Sequence, residues 1–144
     1  MHFSKFAECA TLLLVMMLDM VLTLVCQSVH YQSNYEHHEE SAPVGSMFLL
    51  LGPERFVVSF LLYAYLILYA VFKLPRKLGH AFFVGFLLGH SWGSTSWLPK
   101  LCSKVLFLEI DRWYACSGYF VAIALVYALC LYIFDESKEP MDLL

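Results

Sequence analysis

The sequence predicts an all-α integral membrane protein, a four-helix bundle with a short interfacial helix before its second span. Three observations carry this. The chain is 60% hydrophobic and only 15% charged, where a soluble domain is about 45–50% apolar and about 25% charged. Its mean hydropathy is +0.67 over 144 residues, enough chain for four spans of about 20 residues with short loops. Four apolar stretches stand at about 6–28, 53–74, 78–98 and 113–134, separated by Pro, Gly and charged residues. One membrane domain, 1–144, accounts for the whole chain. The net charge of −3 and the lack of a basic stripe argue against nucleic acid as a partner. The expected surroundings are the lipid bilayer, with a membrane protein or a second copy as a possible partner.

The first stretch begins after Lys5 and runs to Ser28. Its pattern resembles a signal peptide, but Glu8 and Asp19 inside it argue for a span, because a signal core is uncharged. The polar loop 30–46 follows, with the dense run Glu36-His37-His38-Glu39-Glu40 and Pro43 closing it. Met47–Leu51 reads as the interfacial turn of helix. Gly52-Pro53 breaks the chain, Pro53 suits the first turn of span two, and Glu54 complements that helix's N-terminal dipole. Lys73-Leu74-Pro75-Arg76-Lys77 is a tight basic turn into span three, which Pro99 is expected to stop. The mixed loop that follows holds the apolar run Val105–Ile110. Trp113 and Tyr114 then open span four at headgroup level. The tail 135–144 ends in Glu139-Pro140-Met141-Asp142-Leu143-Leu144, an acidic dileucine pattern of the kind used for vesicle sorting.

Lys and Arg near helix ends set orientation. The cluster Lys73, Arg76 and Lys77 favours a cytoplasmic turn, which places both termini inside and loop 30–46 outside. Five cysteines, at 9, 26, 102, 116 and 130, form no CxxC pair. Redox and zinc-ribbon patterns are therefore absent. Cys102 and Cys116 flank one loop and are the only pair placed to bridge, should that loop be extracytoplasmic.

Three ionisable residues stand at membrane depth: Glu8, Asp19 and His90. An Asp at the centre of a span costs roughly 2.5–3.5 kcal/mol on insertion scales, so such groups face a partner or a wet cavity. Glu8 and Asp19 are eleven positions apart, about three helical turns, and share a face with Thr11, Thr23 and Gln27. Val15 and Met16 interrupt that polar stripe. Depth arithmetic, at about 1.5 Å per residue, puts Asp19 and His90 at similar levels, just below His38 and Glu40. Asp19, His38, Glu40 and His90 are thus the candidate metal set, for zinc or a similar divalent ion. No HExxH or fixed two-His spacing reinforces it, and a packing or proton-handling role fits Asp19 and His90 as well. His80, at the basic turn, reads as an interface residue. Ser94 lies one turn from His90, but no nucleophile-elbow context surrounds it. His80 and His90 share one helix, which argues against a bis-His haem.

Ala81, Gly85, Gly89 and Gly93 recur every four residues. This small-xxx-small ladder is the pattern that lets membrane helices approach closely, within the bundle or with a second chain.

Asp19-x3-Thr23, then Glu40-Ser41-Ala42-Pro43, then Gly52-Pro53 resembles a family of small four-span prokaryotic membrane proteins of unknown function. That family carries an intramembrane Asp with a Thr one turn on and a Glu-x-Asn-Pro motif. The chain departs from it at Ala42, where the family has Asn. The resemblance covers the first half of the chain; it implies weight for Asp19 and Glu40 and no reaction. Two functions follow as expectations: an accessory or structural subunit acting through helix packing, or an intramembrane metal-binding protein, either a hydrolase or an ion or proton carrier. No sequence feature decides whether the protein is an enzyme.

Overall fold

The computed structural model describes residues 5–40, 42–107 and 109–134. Four long helices carry the fold: α1 (Lys5–Val25), α4 (Pro53–Lys73), α5 (Arg76–Leu101) and α6 (Arg112–Ile133). Two short ones, α2 (Val29–Ser33) and α3 (Pro43–Leu49), lie between α1 and α4 and flank a 3₁₀ turn at Tyr35–His37. There is no strand among the described residues. The acidic dileucine tail lies outside them.

By length and composition, α1, α4 and α6 are apolar enough to cross a membrane. The longest helix, α5, has 26 residues, but Arg76, Lys77, His80 and the polar run His90–Ser96 dilute its apolarity. Three of those polar residues turn inward: Ser91, Ser94 and Thr95 are buried, while Arg76, Lys77 and Ser96 are exposed. Outward positions on α6, such as Val121, Leu125 and Leu129, are apolar and exposed. Such an inside-out distribution suits a bundle whose solvent is lipid.

The central pair is α1 and α5, which run parallel. Three contacts fix this register: Glu8 meets His80, Asp19 meets His90, and Cys26 Sγ donates to the carbonyl of Trp97. On either side, α4 and α6 pack against both central helices. The largest buried cluster joins Leu12 and Met16 of α1 to Phe56, Phe60, Ala64 and Val71 of α4 and Phe83 of α5. Lysines close two helix ends. Lys5 Nζ donates to the carbonyls of Phe72 and Leu74, at 2.6 and 3.0 Å, at the C-terminus of α4. Lys104 Nζ does the same for Val25 and Gln27 beyond α1. A cation at carbonyls left without helical partners complements the negative end of the helix dipole.

Three boundaries differ from the sequence expectation. The short helix before span two starts at Pro43 rather than Met47, because Pro43 occupies its first turn instead of closing a loop. Pro99 does not stop span three: α5 continues to Leu101 and into a π turn at Cys102–Leu106. A proline removes one intrahelical bond, and the bundle holds the helix past it. The stop falls at Phe107, whose φ of 54° is left-handed. Helix α1 ends at Val25, three residues short of Ser28, where Cys26 and Gln27 form a turn. Cys102 and Cys116 are free thiols, so the bridge considered for them is not made.

The α4–α5 turn depends on one close approach. A Cβ at Gly79 would stand 2.7 Å from the Val71 carbonyl oxygen, a backbone atom. Gly85 and Gly89 have nothing within 4 Å of that position. Gly79→Ala should therefore destabilise the bundle by about 1–3 kcal/mol, whereas Gly85→Ala and Gly89→Ala should not. Thermal unfolding of the three variants in mild detergent checks this. Equal losses at all three positions would contradict it.

Candidate functional site: a carboxylate–imidazole pair at an apolar cavity

Asp19 lies in the third-quarter turn of α1 and His90 in the middle of α5, where the parallel register brings them together. His90 Nδ1 donates to Asp19 Oδ2 at 2.8 Å. Both side chains are nearly enclosed, 14% and 13% exposed. Ser94, one turn beyond His90, donates to Asp19 Oδ1 at 3.1 Å. Both carboxylate oxygens thus have donors, which is what a carboxylate in a low-dielectric interior needs. The imidazole packs against two rings of α4, Phe60 edge-on and Tyr63 tilted, each with its centroid 5.9 Å away. With Nδ1 committed to Asp19, Nε2 is the ring nitrogen left for another partner. No protein group among the described residues bonds to that nitrogen.

His90 faces a cavity of about 610 Å³ between α4 and α5. Asp19 and Thr23 of α1 form one end of it. Phe56, Phe60 and Tyr63 line the α4 wall, and Ala81, Gly85, Gly89 and Gly93 line the α5 wall. Glu40, Ala42, Val44, Gly45 and Phe48 cover it from the loop side. From Ala81 to Gly93 the groove follows α5 for about 18 Å, at 1.5 Å per residue. The ladder is therefore the wall of this groove. Only at Gly93 does it make a close approach within the chain, where a Cβ would come within 3.0 Å of Asp19 Oδ1.

The loop over the cavity is strapped down at several points. The Glu39 N–H donates to Gln27 Oε1 at 3.0 Å, and Gln27 Nε2 donates back to the Thr23 carbonyl. Tyr31 OH donates to the Leu49 carbonyl at 3.0 Å, joining α2 to α3. Lys100 of α5 forms an ion pair with Glu39. That ammonium holds the Glu39 carboxyl below its ordinary range, chiefly through the hydrogen bond.

The four proposed metal ligands do not converge. His38 Nε2 bonds to Ser46 Oγ at 3.0 Å and is not part of the cavity wall. Glu40 shares the cavity with Asp19 and His90, but its carboxylate accepts from the Ala42 N–H at 2.8 Å. Among the described residues, no three His, Cys, Asp or Glu side chains form a set that could hold a metal ion. The reason is local. Asp19 spends both oxygens on His90 and Ser94, and His38 is tied to Ser46.

A second pair repeats the first at the other end of the central helices. His80 Nδ1 donates to Glu8 Oε1 at 2.8 Å, with Glu8 buried and His80 partly exposed. His80 is thus a partner of Glu8 as well as a residue near the helix start. The signal was present as spacing: Glu8 and Asp19 are eleven apart on α1, and His80 and His90 ten apart on α5. Ser94 was marked by its place one turn from His90, but the α4 rings Phe60 and Tyr63 had no such signal, because their role depends on how α4 rotates.

Compared with known protein families, characterised proteins and solved structures, the chain shows no significant match.

Two outcomes are expected here. In ¹⁵N spectra of the histidine-labelled protein, His90 Nδ1 should carry a hydrogen-bonded proton, as its contact with Asp19 requires; a proton on Nε2 alone would contradict the Asp19 contact. Glu39 gives the second. Its folded pKa is depressed, so its contribution to holding the loop is complete above the unfolded carboxylate value of about 4.3 and is lost as pH falls through the folded value. Hydrogen exchange of the Glu39 amide should be constant from neutral pH down to that range and quicken, relative to its intrinsic rate, below it. In Lys100→Met, which removes the ion pair that depresses Glu39, this pH-dependent step should shrink or vanish.

Proposed function

We propose that this chain is a small four-span membrane protein that binds a single-chain amphiphile in the α4–α5 groove. The observation that carries the reading is an apolar groove ending at a carboxylate–imidazole pair with an uncommitted nitrogen. Its volume falls in the range of about 300–1,000 Å³ typical of small-molecule sites. In this reading the tail lies along Ala81, Gly85 and Gly89, where no side chain competes for space. The head meets His90 Nε2 and Glu40. Asp19 and Glu40 are carboxylates, so a hydroxyl or amine head, which donates hydrogen bonds, is favoured over an anionic one.

The same proposal has all four long helices crossing the membrane, with both termini on the side of Lys73, Arg76 and Lys77. The inward-facing polar residues of α5 and its parallel run beside α1 support this. An accessory role, in which a partner helix or a second copy packs against the ladder, remains the second reading. The open space at Gly85 and Gly89 favours it.

Binding of a radiolabelled monoacylglycerol to the purified full chain, against a fatty acid of equal chain length, tests the first reading. The expected result is preference for the monoacylglycerol, and a loss of at least about tenfold, or 1.4 kcal/mol, in Gly89→Leu, which fills the groove. Unchanged binding by a folded Gly89→Leu protein would overturn it. Loss of self-association or of a co-purifying chain in that variant, without any lipid binding by the wild type, would favour the second.

A further inference from the structure

Behind the cavity, on the α6 side, the central helices enclose a second set of side chains in three layers, two polar and one apolar. The layers follow from one helix face each. On α1, Thr11, Val15 and Asp19 recur every four residues. On α6, which runs antiparallel to α1, the corresponding face is Tyr127, Ile123 and Tyr119. The first layer holds Glu8 and Thr11 with His80 and Phe83 of α5 and Tyr127, whose ring lies 5.2 Å from that of Phe83. Tyr127 is within electrostatic reach of Glu8 and of Arg76. The third layer holds Asp19, His90, Ser91 and Ser94 with Tyr119, which is within reach of Asp19 and Ser94. Between them sits one apolar layer, in which Val15 and Ile123 are buried together with Leu87 packed on them. Each layer is about 6 Å thick, four residues at 1.5 Å.

The polar layers are not satisfied by the protein alone. Thr11 Oγ1, Ser91 Oγ, Tyr119 OH and Tyr127 OH are buried without a hydrogen-bond partner among the described residues. Thr11 is 0% exposed, Ser91 1% and Tyr119 8%. A buried hydroxyl without a partner is costly, and in native proteins an ordered water usually satisfies it. Two such hydroxyls fall in each polar layer, beside an ionisable pair.

We propose that this seam is a proton route, hydrated at Thr11–Tyr127 and at Ser91–Tyr119, with the Val15–Leu87–Ile123 layer as its closed gate. Hydrophobic constrictions close such routes by excluding water. The entrance is His80, partly exposed and paired to buried Glu8. The exit is Asp19–His90, which opens on the α4–α5 cavity and on Glu40. A proton taken up at His80 passes to Glu8 and the first water layer, and crosses when water enters the gate. It then reaches the Asp19 carboxylate, which lines the cavity, and leaves it there for cavity water. One proton enters for each that leaves, and no electron moves. The charged and titratable groups around the route are Lys5, Cys9, Arg76 and Tyr127 at the Glu8 end, and Tyr63, Tyr119 and Glu40 at the Asp19 end. The inference does not depend on what fills the groove.

The test uses the full chain reconstituted in phosphatidylcholine–phosphatidylglycerol vesicles loaded with a pH-sensitive dye, under a potassium diffusion potential. Ile123→Ser, which lets water into the gate, should raise proton entry several-fold over wild type. Adding Glu8→Gln should return it to the wild-type rate. Val15→Thr, nearly isosteric with the native residue, is the second gate variant and should act in the same direction if Ile123→Ser does not fold. A folded gate variant with no increase would overturn the proposal. So would an increase that persists with Glu8→Gln, since that is a general leak. Monoacylglycerol binding measured on the same proteins separates this result from the fate of the groove.

Discussion

Two carboxylates enter the apolar interior on α1, and each has to meet a donor there. Both find an imidazole on α5: Glu8 with His80 and Asp19 with His90. In a low-dielectric interior an unpaired carboxylate is far more costly than a weak packing contact. Removing one partner of a buried pair typically costs about 3–5 kcal/mol. Two pairs, one near each end of a shared helix length, fix both the axial register and the rotation of α5 against α1. A one-residue slip would turn each histidine about 100° away from its carboxylate. The rest of the bundle is arranged around that constraint.

One consequence is the fate of the small residues on α5. The rotation that points His80, His90 and Ser94 at α1 turns Ala81, Gly85 and Gly89 toward α4, which does not close over them. A pattern that elsewhere marks helix contact becomes the wall of a groove. The other consequence lies on the α6 side. There the same rotation brings Ser94 within reach of Tyr119 and leaves buried hydroxyls, Ser91 among them, without a partner among the described residues. Asp19 stands between the two spaces. It is tied to a histidine that faces the groove and to a serine that faces α6.

Much of the fold was legible because helix length, apolar composition and Pro or Gly breaks are local properties. The boundaries of α4 and the inward face of α1 follow from them, and so does the equal depth of Asp19 and His90. Pro99 and Pro43 were misread for one reason: proline restricts φ and removes a donor, and whether that opens, interrupts or ends a helix depends on neighbours distant in sequence. The metal set finds no support among the described residues for a related reason. Depth brought Glu40 to the cavity and Asp19 to His90, but the carboxylate was already occupied by Ser94. His38 was held by Ser46. Side-chain commitments of this kind have no periodicity to read.

The central claim is the energetic link between Asp19 and His90, and a double-mutant cycle measures it most directly. Asp19→Ala, His90→Ala and the double variant would be unfolded from mixed micelles by a denaturing detergent, and their free energies compared with wild type. The account predicts that the two losses are strongly non-additive, with a coupling of about 1–3 kcal/mol. Losses that add to within about 0.5 kcal/mol would mean that the two side chains do not depend on one another. The register of α1 and α5 would then have to rest on packing alone.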